Sequence, residues 1–178
     1  MAEGATPVHE VLLETDRLLL RPWRADEAPV LHALWAERDP RVPPHRRIGS
    51  DGRPTVTDLE VWIRANQPSS STGLLAVQRK DAGDVIGYCG LLDKGAGREG
   101  EPEVAFELLR RVWRRGYATE ATLAVLKWGR SSGYERLGAT VWEWNTASRR
   151  VLAKAGFAEE RAELDPVFGN KLSVTRQL

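Results

Sequence analysis

The chain has 178 residues, with 26 Lys and Arg against 25 Asp and Glu and a formal net charge of +1. This is the length of one domain with a filled core, and the charge balance removes the global electrostatic case for a nucleic-acid binder. The one cysteine, Cys89, has no partner for an internal disulfide; the opening MAEGATPVHE lacks the regions of an export signal, and no run approaches the roughly 18 apolar residues of a membrane helix. A cytoplasmic protein without membrane association is the expectation, with residues 1–10 as a flexible N-terminus and residues 11–178 as a single domain.

Residues 11–23, VLLETDRLLLRPW, place apolar residues on either side of a polar break at residues 14–17 and read as a first strand ending near Pro22. Asp26 caps a helix in which Val30, Leu31, Leu34 and Trp35 share one face, Pro29 is tolerated in the first turn, and Pro40 marks the limit. Residues 38–54, RDPRVPPHRRIGSDGRP, lack periodicity and read as an exposed loop carrying Arg38, Arg41, His45, Arg46, Arg47 and Arg53. Thr57 or Asp58 then caps a second helix with Leu59, Trp62 and Ile63 on one face. GLLAVQRK from Gly73, DVIGYCGLLD from Asp84 and EVAFELL from Glu103 are β-rich runs separated by turn residues, which predicts an antiparallel meander. A helix over residues 117–132, a strand LGATVW from Leu137 and a helix from Thr146 follow. Gly156 closes that last helix in left-handed backbone, with Phe157 packing back on its end. FAEERAEL from Phe157 and NKLSVTRQL from Asn170 supply two final strands. The order is α/β of the mixed α+β kind, with one strand-helix-strand unit near residues 103–142 and no internal repeat.

Two segments carry chemistry. In ELLRRVWRRGYATEA, residues 107–121, a strand passes through a short basic turn containing Gly116 into a helix. Such a turn offers unpaired backbone N–H groups and the positive end of a helix dipole, which suits a pyrophosphate. Gly116 and the small Ala118 permit close approach of a bulky ligand, and Arg114 and Arg115 add charge. An ordinary strand-to-helix turn with surface arginines is the open alternative. In WNTASRRVLAKAGF, residues 144–157, Asn145 or Thr146 can cap a helix and Ser148 can be a first-turn polar residue. Asn145 and Ser148 also fall at the C-terminal edge of a strand, where open α/β sheets place ligands.

Together these segments resemble the GNAT superfamily of N-acetyltransferases, in particular its RimJ/RimL-like branch. WRRGYATEA is similar to that branch's pyrophosphate loop, NTASRRVLAKAGF to its Asn-x-x-Ser helix ending in Gly-Phe, and ETDRLLLRPW and DVIGYCGL fit as well, so the resemblance covers residues 13–174. It implies the acyl-CoA N-acyltransferase fold, a central mostly antiparallel sheet with a splayed parallel strand pair and helices on both faces. It also implies transfer of acetyl from acetyl-CoA to a primary amine by direct attack in a ternary complex. Acetyl-CoA would lie between the strands containing Phe106 to Leu108 and Ala139 to Trp142. Backbone groups of Phe106 and Leu108 would hold the pantetheine, and those of Arg114, Arg115, Gly116, Tyr117, Ala118 and Thr119 the pyrophosphate. Asn145 would bind the pantetheine directly or through water, and Lys154 would reach the adenosine phosphate. The acceptor implied is a protein N-terminus; a small amine such as an antibiotic, polyamine or amino acid is the alternative, as is a module that binds coenzyme A without catalysis. A monomer or homodimer is compatible with this reading.

This chain departs from the family pattern at two positions. Trp113 stands where many loops have Gln or Arg, and Leu152 stands where many relatives have the tyrosine that protonates the departing thiolate. Ser148 is the nearest hydroxyl the motif supplies, so it is the candidate acid, with helix capping as its competing role. Glu103 and Glu107 alternate with apolar residues on the central strand and are candidate acceptors of the amine proton, since the amine must be neutral to attack. Glu120 reads as a first-turn carboxylate facing the dipole. GAGREG, with Gly95, Gly97 and Gly100, is followed by Pro102 and a strand rather than a helix, so it reads as a hairpin loop and not as a dinucleotide site. His9, His32 and His45 are dispersed, and no metal is expected. Cys89 reads as a small buried residue rather than an acyl relay. The arginine-rich loop reads as solvated, with recognition of an acidic acceptor as its alternative role.

Overall fold

The computed structural model describes residues 13–93 and 101–178. The first strand is in fact two, β1 (Leu13–Glu14) and β2 (Leu18–Arg21), because the polar break forms a turn that Thr15 closes by donating from its N–H to the Leu18 carbonyl at 3.0 Å. A 3-10 turn over Ala25–Glu27 takes the place expected for a cap at Asp26, and α1 (Ala28–Ala36) begins beyond it with Pro29 in its first turn. The cap of α2 (Val56–Ala65) is Thr55, not Thr57 or Asp58: its hydroxyl accepts from Asp58 N–H, while the Asp58 carboxylate accepts from Thr55 N–H. A carboxylate in the third helical position can complete such a reciprocal pair, which a cap at Thr57 would forgo. Leu59 and Ile63 are buried, whereas Trp62 is exposed.

The strands β3 (Gly73–Arg79), β4 (Val85–Leu92) and β5 (Glu103–Leu108) form the expected antiparallel meander. Residues 94–100, with Gly95, Gly97 and Gly100, lie outside the described residues. Helix α3 (Tyr117–Ser131) returns the chain to β6 (Arg136–Trp142), then α4 (Thr146–Lys154), β7 (Ala158–Glu163) and β8 (Lys171–Gln177) complete the order. The described strands make one sheet in the order β1-β2-β3-β4-β5-β6-β8-β7, with β5 and β6 its parallel pair.

Both faces of the sheet are covered. Leu31, Leu34, Leu59 and Ile63 of α1 and α2 pack with Ala76, Val85 and Tyr88 on one face, while Ala121, Val125 and Trp128 of α3 pack with Leu75, Ile86, Val104 and Leu108 on the other. With helices on both faces, β4 alternates into two cores and reads as a continuous buried run rather than an in-out pattern. Helix α4 adds Leu152 to the second core, and its end is closed as expected. Gly156 has φ of 82°, and the N–H groups of Gly156 and Phe157 donate back to Ala153 and Leu152 at 3.0 Å. A side chain at Gly156 would also collide with Arg176, whose guanidinium donates to the Ala155 carbonyl.

Leu152 is 3% exposed, so the residue that replaces the expected tyrosine belongs to the core. Leu152→Ala should therefore lower stability by about 2–5 kcal/mol, as for large-to-small changes in packed cores. A shift of the urea unfolding midpoint at unchanged slope is the check.

Candidate active site

The strand pair β5 and β6 meets at one register position, Glu103 opposite Gly138, with Gly138 N–H donating to the Pro102 carbonyl at 3.1 Å. Beyond it each strand follows its other neighbour: β5 stays on β4 through Leu108, and β6 stays on β8 through Trp142. A gap opens between them. On the β4 side, Leu109 N–H donates to the Ile86 carbonyl at 2.8 Å, which fixes the alternation of the antiparallel ladder. The odd-numbered residues of β5 thus exchange bonds with β4, and the N–H and C=O groups of Phe106 and Leu108 point toward β6, into the gap. One of these groups is already engaged. The exposed Trp113 bends back so that its indole N–H donates to the Leu108 carbonyl at 2.7 Å, leaving the Leu108 N–H as the group it offers to a ligand.

The gap ends at the turn into α3. Arg114 and Gly116 adopt positive φ, 63° and 82°, and the helix begins at Tyr117 with no side-chain cap. The first intrahelical bond of α3 runs from Glu120 N–H to the Gly116 carbonyl at 3.0 Å, so the N–H groups of Tyr117, Ala118 and Thr119 have no acceptor in the helix. These donors and the positive helix end suit a diphosphate, and Arg114 and Arg115 lie exposed beside them. Gly116 has only the Arg17 guanidinium, at 3.3 Å, where a side chain would begin.

Arg17 is a residue the sequence did not single out. Its guanidinium pairs with Glu120 at 2.6 Å, donates to the Arg115 carbonyl at 3.0 Å and lies 4.4 Å from the centre of the Tyr117 ring. Glu120 also accepts from Thr15 Oγ1 at 2.6 Å and from Arg17 N–H at 3.0 Å. It thus clamps the β1-β2 turn to the anion loop besides facing the dipole. Burial alone would raise its carboxyl pKa, but the hydrogen bonds from Thr15 and Arg17 outweigh that and hold it below the ordinary 4.5.

On the opposite lip, Asn145 caps α4 by accepting from Ser148 N–H at 3.1 Å. That settles which residue caps the helix, and among the described residues the half-buried Ser148 hydroxyl makes no hydrogen bond. Lys154 is exposed in the last turn of α4. Glu107 and Glu103 project toward the α1 side of β5, four residues or about 13 Å apart. Glu103 accepts from Thr140 Oγ1 at 2.8 Å, at the closed end of the gap. Glu107 lies beside its open part and is held by the Arg38 guanidinium at 2.7 Å and by the Tyr88 hydroxyl at 2.9 Å. Burial, and next the Glu107 charge, push the Tyr88 phenol well above its ordinary range, so it stays a hydrogen-bond donor.

The arginine-rich loop spans both lips of the gap. Arg38 grips Glu107 of β5, and Arg41 stacks 4.1 Å from the ring of Trp144, just past β6. Cys89, fully buried, has its thiol raised by that burial to about 12, which fits a core residue rather than a nucleophile. Among the described residues no group of three or more His, Cys, Asp or Glu could hold a metal ion, and no helix is long and apolar enough to cross a membrane.

The clamp yields a prediction. Arg17→Ala should weaken binding of a diphosphate ligand such as the coenzyme A that the resemblance implies about tenfold, or about 1.4 kcal/mol, by releasing the Arg115 carbonyl and Glu120, with Arg17→Lys intermediate. Because the folded Glu120 carboxyl lies below its ordinary value, the clamp is complete at neutral and mildly acidic pH and is lost only as pH falls through that depressed value. Calorimetric titration of coenzyme A across pH checks both statements.

The model of the acetyltransferase (GNAT) domain matches residues 17–158. An uncharacterised N-acetyltransferase, p20 of Bacillus licheniformis, is 30% identical over 159 residues, covering 83% of each chain. Two solved structures share the fold. The GNAT-family acetyltransferase from Bacillus anthracis superposes with a TM-score of 0.76 at 21% identity, over 94% of this chain and 98% of that one. RimL, the ribosomal L7/L12 alpha-N-protein acetyltransferase, superposes at 0.71 and 13% identity, over 100% and 99%. The splayed strands, the anion turn and these similarities lead to one conclusion: the chain belongs to the GNAT family and is an acetyl-CoA-dependent N-acetyltransferase.

Proposed function

We propose that the protein acetylates the α-amino group of a protein or peptide, binding acetyl-CoA in the gap between β5 and β6. The observation that carries this is the pairing of two features: the Phe106 main chain and Leu108 N–H directed into the gap, and the amides of Tyr117 to Thr119 left without helix acceptors at the turn beyond it. It offers polar partners for an extended amide-bearing chain and then donors for a diphosphate. Phe106 and the Leu108 N–H hold the pantetheine arm, the amides of Arg114 through Thr119 take the pyrophosphate, and Asn145 and Lys154 contribute from α4. The similarity to RimL supports a protein N-terminus as acceptor; a small primary amine is the alternative class.

In the reaction the neutral amine attacks the thioester carbonyl, the C–N bond forms, and the C–S bond breaks from a tetrahedral intermediate. The Leu108 N–H, whose own carbonyl is fixed by Trp113, stabilises the oxyanion. Glu107, with both oxygens already engaged by Arg38 or Tyr88, accepts the ammonium proton through water rather than by direct contact. Glu103, at the closed end of the gap, is the second candidate for that role. The Ser148 hydroxyl donates its proton to the departing sulfur, giving the thiol, and takes up a proton from water that balances the one accepted by Glu107, in place of the tyrosine displaced by Leu152.

Thiol release from acetyl-CoA with a panel of peptides and small amines tests the proposal. Turnover of a peptide N-terminus is expected; cofactor-induced thermal stabilisation with no thiol release would instead indicate a binding module. Ser148→Ala should lower kcat by about a hundredfold, near the lower end for loss of a general acid, with cofactor affinity nearly unchanged. An unchanged kcat with chemistry rate-limiting would remove Ser148 from the mechanism.

A further inference from the structure

The arginine-rich loop and the start of α2 form an open, shallow cleft of about 450 Å³, lined by Trp35, His45, Arg47, Asp51, Arg53 and Asp58 among others. Its carboxylates are committed to the loop itself. Asp58 accepts from Thr55 N–H at 2.9 Å and lies 3.6 Å from Arg53, and Asp51 accepts from Arg53 N–H at 3.1 Å. Arg38, Arg41 and Arg53 each have a carboxylate partner, whereas Arg46 and Arg47 have none among the described residues, and of these two it is Arg47 that lines the cleft. Its Nε is closed off from a ligand, but the terminal nitrogens of Arg47 make no hydrogen bond among the described residues, and a ligand carboxylate can pair with them.

One wall links the cleft to the proposed reacting centre. Trp35 forms part of its wall, and the Arg38 guanidinium stacks 4.1 Å from the centre of that ring while it pairs with Glu107 on β5. Arg46, beside Arg47, contributes to the field at buried Tyr88, the hydroxyl that donates to Glu107. Trp35, Arg38 and Glu107 thus connect the wall of the cleft to the strand proposed to present the thioester.

We infer that this cleft is the acceptor-specificity site, in which Arg47 binds a carboxylate carried by the acceptor close to its reacting amine. This rests on the acetyltransferase reading and adds the class of acceptor: amines bearing a carboxylate. In a peptide the carboxylate is an acidic side chain near the N-terminus; in a small molecule it is a free acid group. Trp35 and Pro44 supply the apolar wall beside it. Polyamines, which bring like charge to Arg46, Arg47 and Arg53, are disfavoured.

The test compares each acid with its own amide. Binding to the coenzyme A complex is measured by calorimetry for Ala-Asp-Ala against Ala-Asn-Ala, both C-terminally amidated, and for glutamate against glutamine amide; kcat/KM with acetyl-CoA is measured for the same four compounds. At least one acid should be favoured tenfold or more over its amide, and the peptide and small-molecule arms show which source the cleft accepts. Arg47→Gln should bring that ratio close to one without changing coenzyme A affinity, and Arg47→Lys should leave it intermediate. Equal binding of acids and amides by the unmodified protein, or a preference that survives Arg47→Gln, would overturn the inference whether or not acetyl transfer occurs. Failure of the underlying reading is distinct: no acceptor would release thiol, even where an acid binds through Arg47.

Discussion

Parallel strands that part after one register position leave main-chain hydrogen-bonding groups without the partner a sheet would give them, and the rest of this site depends on that. Strand β6 is held by seven register positions on β8, and β5 by six on β4, so each is committed to its outer neighbour. The inner edges diverge. Because hydrogen-bonding direction alternates along β5, the even-numbered residues face the opening, with the Phe106 main chain and the Leu108 N–H toward its wider end. An extended ligand with alternating amides suits such an edge as a strand would, and the proposed binding of the cofactor arm would then draw its specificity from backbone geometry rather than side-chain chemistry.

Holding that opening in place falls to residues distant in sequence. Arg17 and Thr15, from the β1-β2 turn, fix the loop proposed to present its amides to an anion. Trp113 closes the end of β5 by occupying the Leu108 carbonyl. Across the gap, the loop after α1 reaches one lip through Arg38 and the other through Arg41. The arginines near this loop are therefore not one uniform positive surface: three are neutralised in building the wall, and the remaining charge is concentrated at Arg46 and Arg47.

What the sequence made legible follows from the range of the interactions involved. The meander, α3, α4 and their closing signals are local patterns of period and capping, and they appear where the residues place them. The turn at Gly116 and the helix start at Asn145 were legible for the same reason. The cap of α2 was misplaced by two or three residues because Thr55, Thr57 and Asp58 all offer capping oxygens, and only the reciprocal pairing distinguishes them. Arg17 and Glu120 are 103 residues apart, and Arg38 and Glu107 are 69 apart; no periodicity encodes such pairs, so the sequence does not single out Arg17 and shows Glu107 as a candidate proton acceptor without its Arg38 partner. Trp113 read as a departure from the loop motif, yet its indole completes the strand end, a contact over five residues that depends on the loop's own bend.

Amide hydrogen exchange with and without coenzyme A addresses the account at its centre, since the claim concerns individual backbone N–H groups. The N–H groups of Phe106, Leu108 and Tyr117 through Thr119 should slow on cofactor addition, while those of β2 and β3, away from the gap, keep their rates. Protection confined to the loop between α1 and α2, or its absence at Leu108 and the first turn of α3 under saturating cofactor, would contradict the placement of the cofactor between β5 and β6.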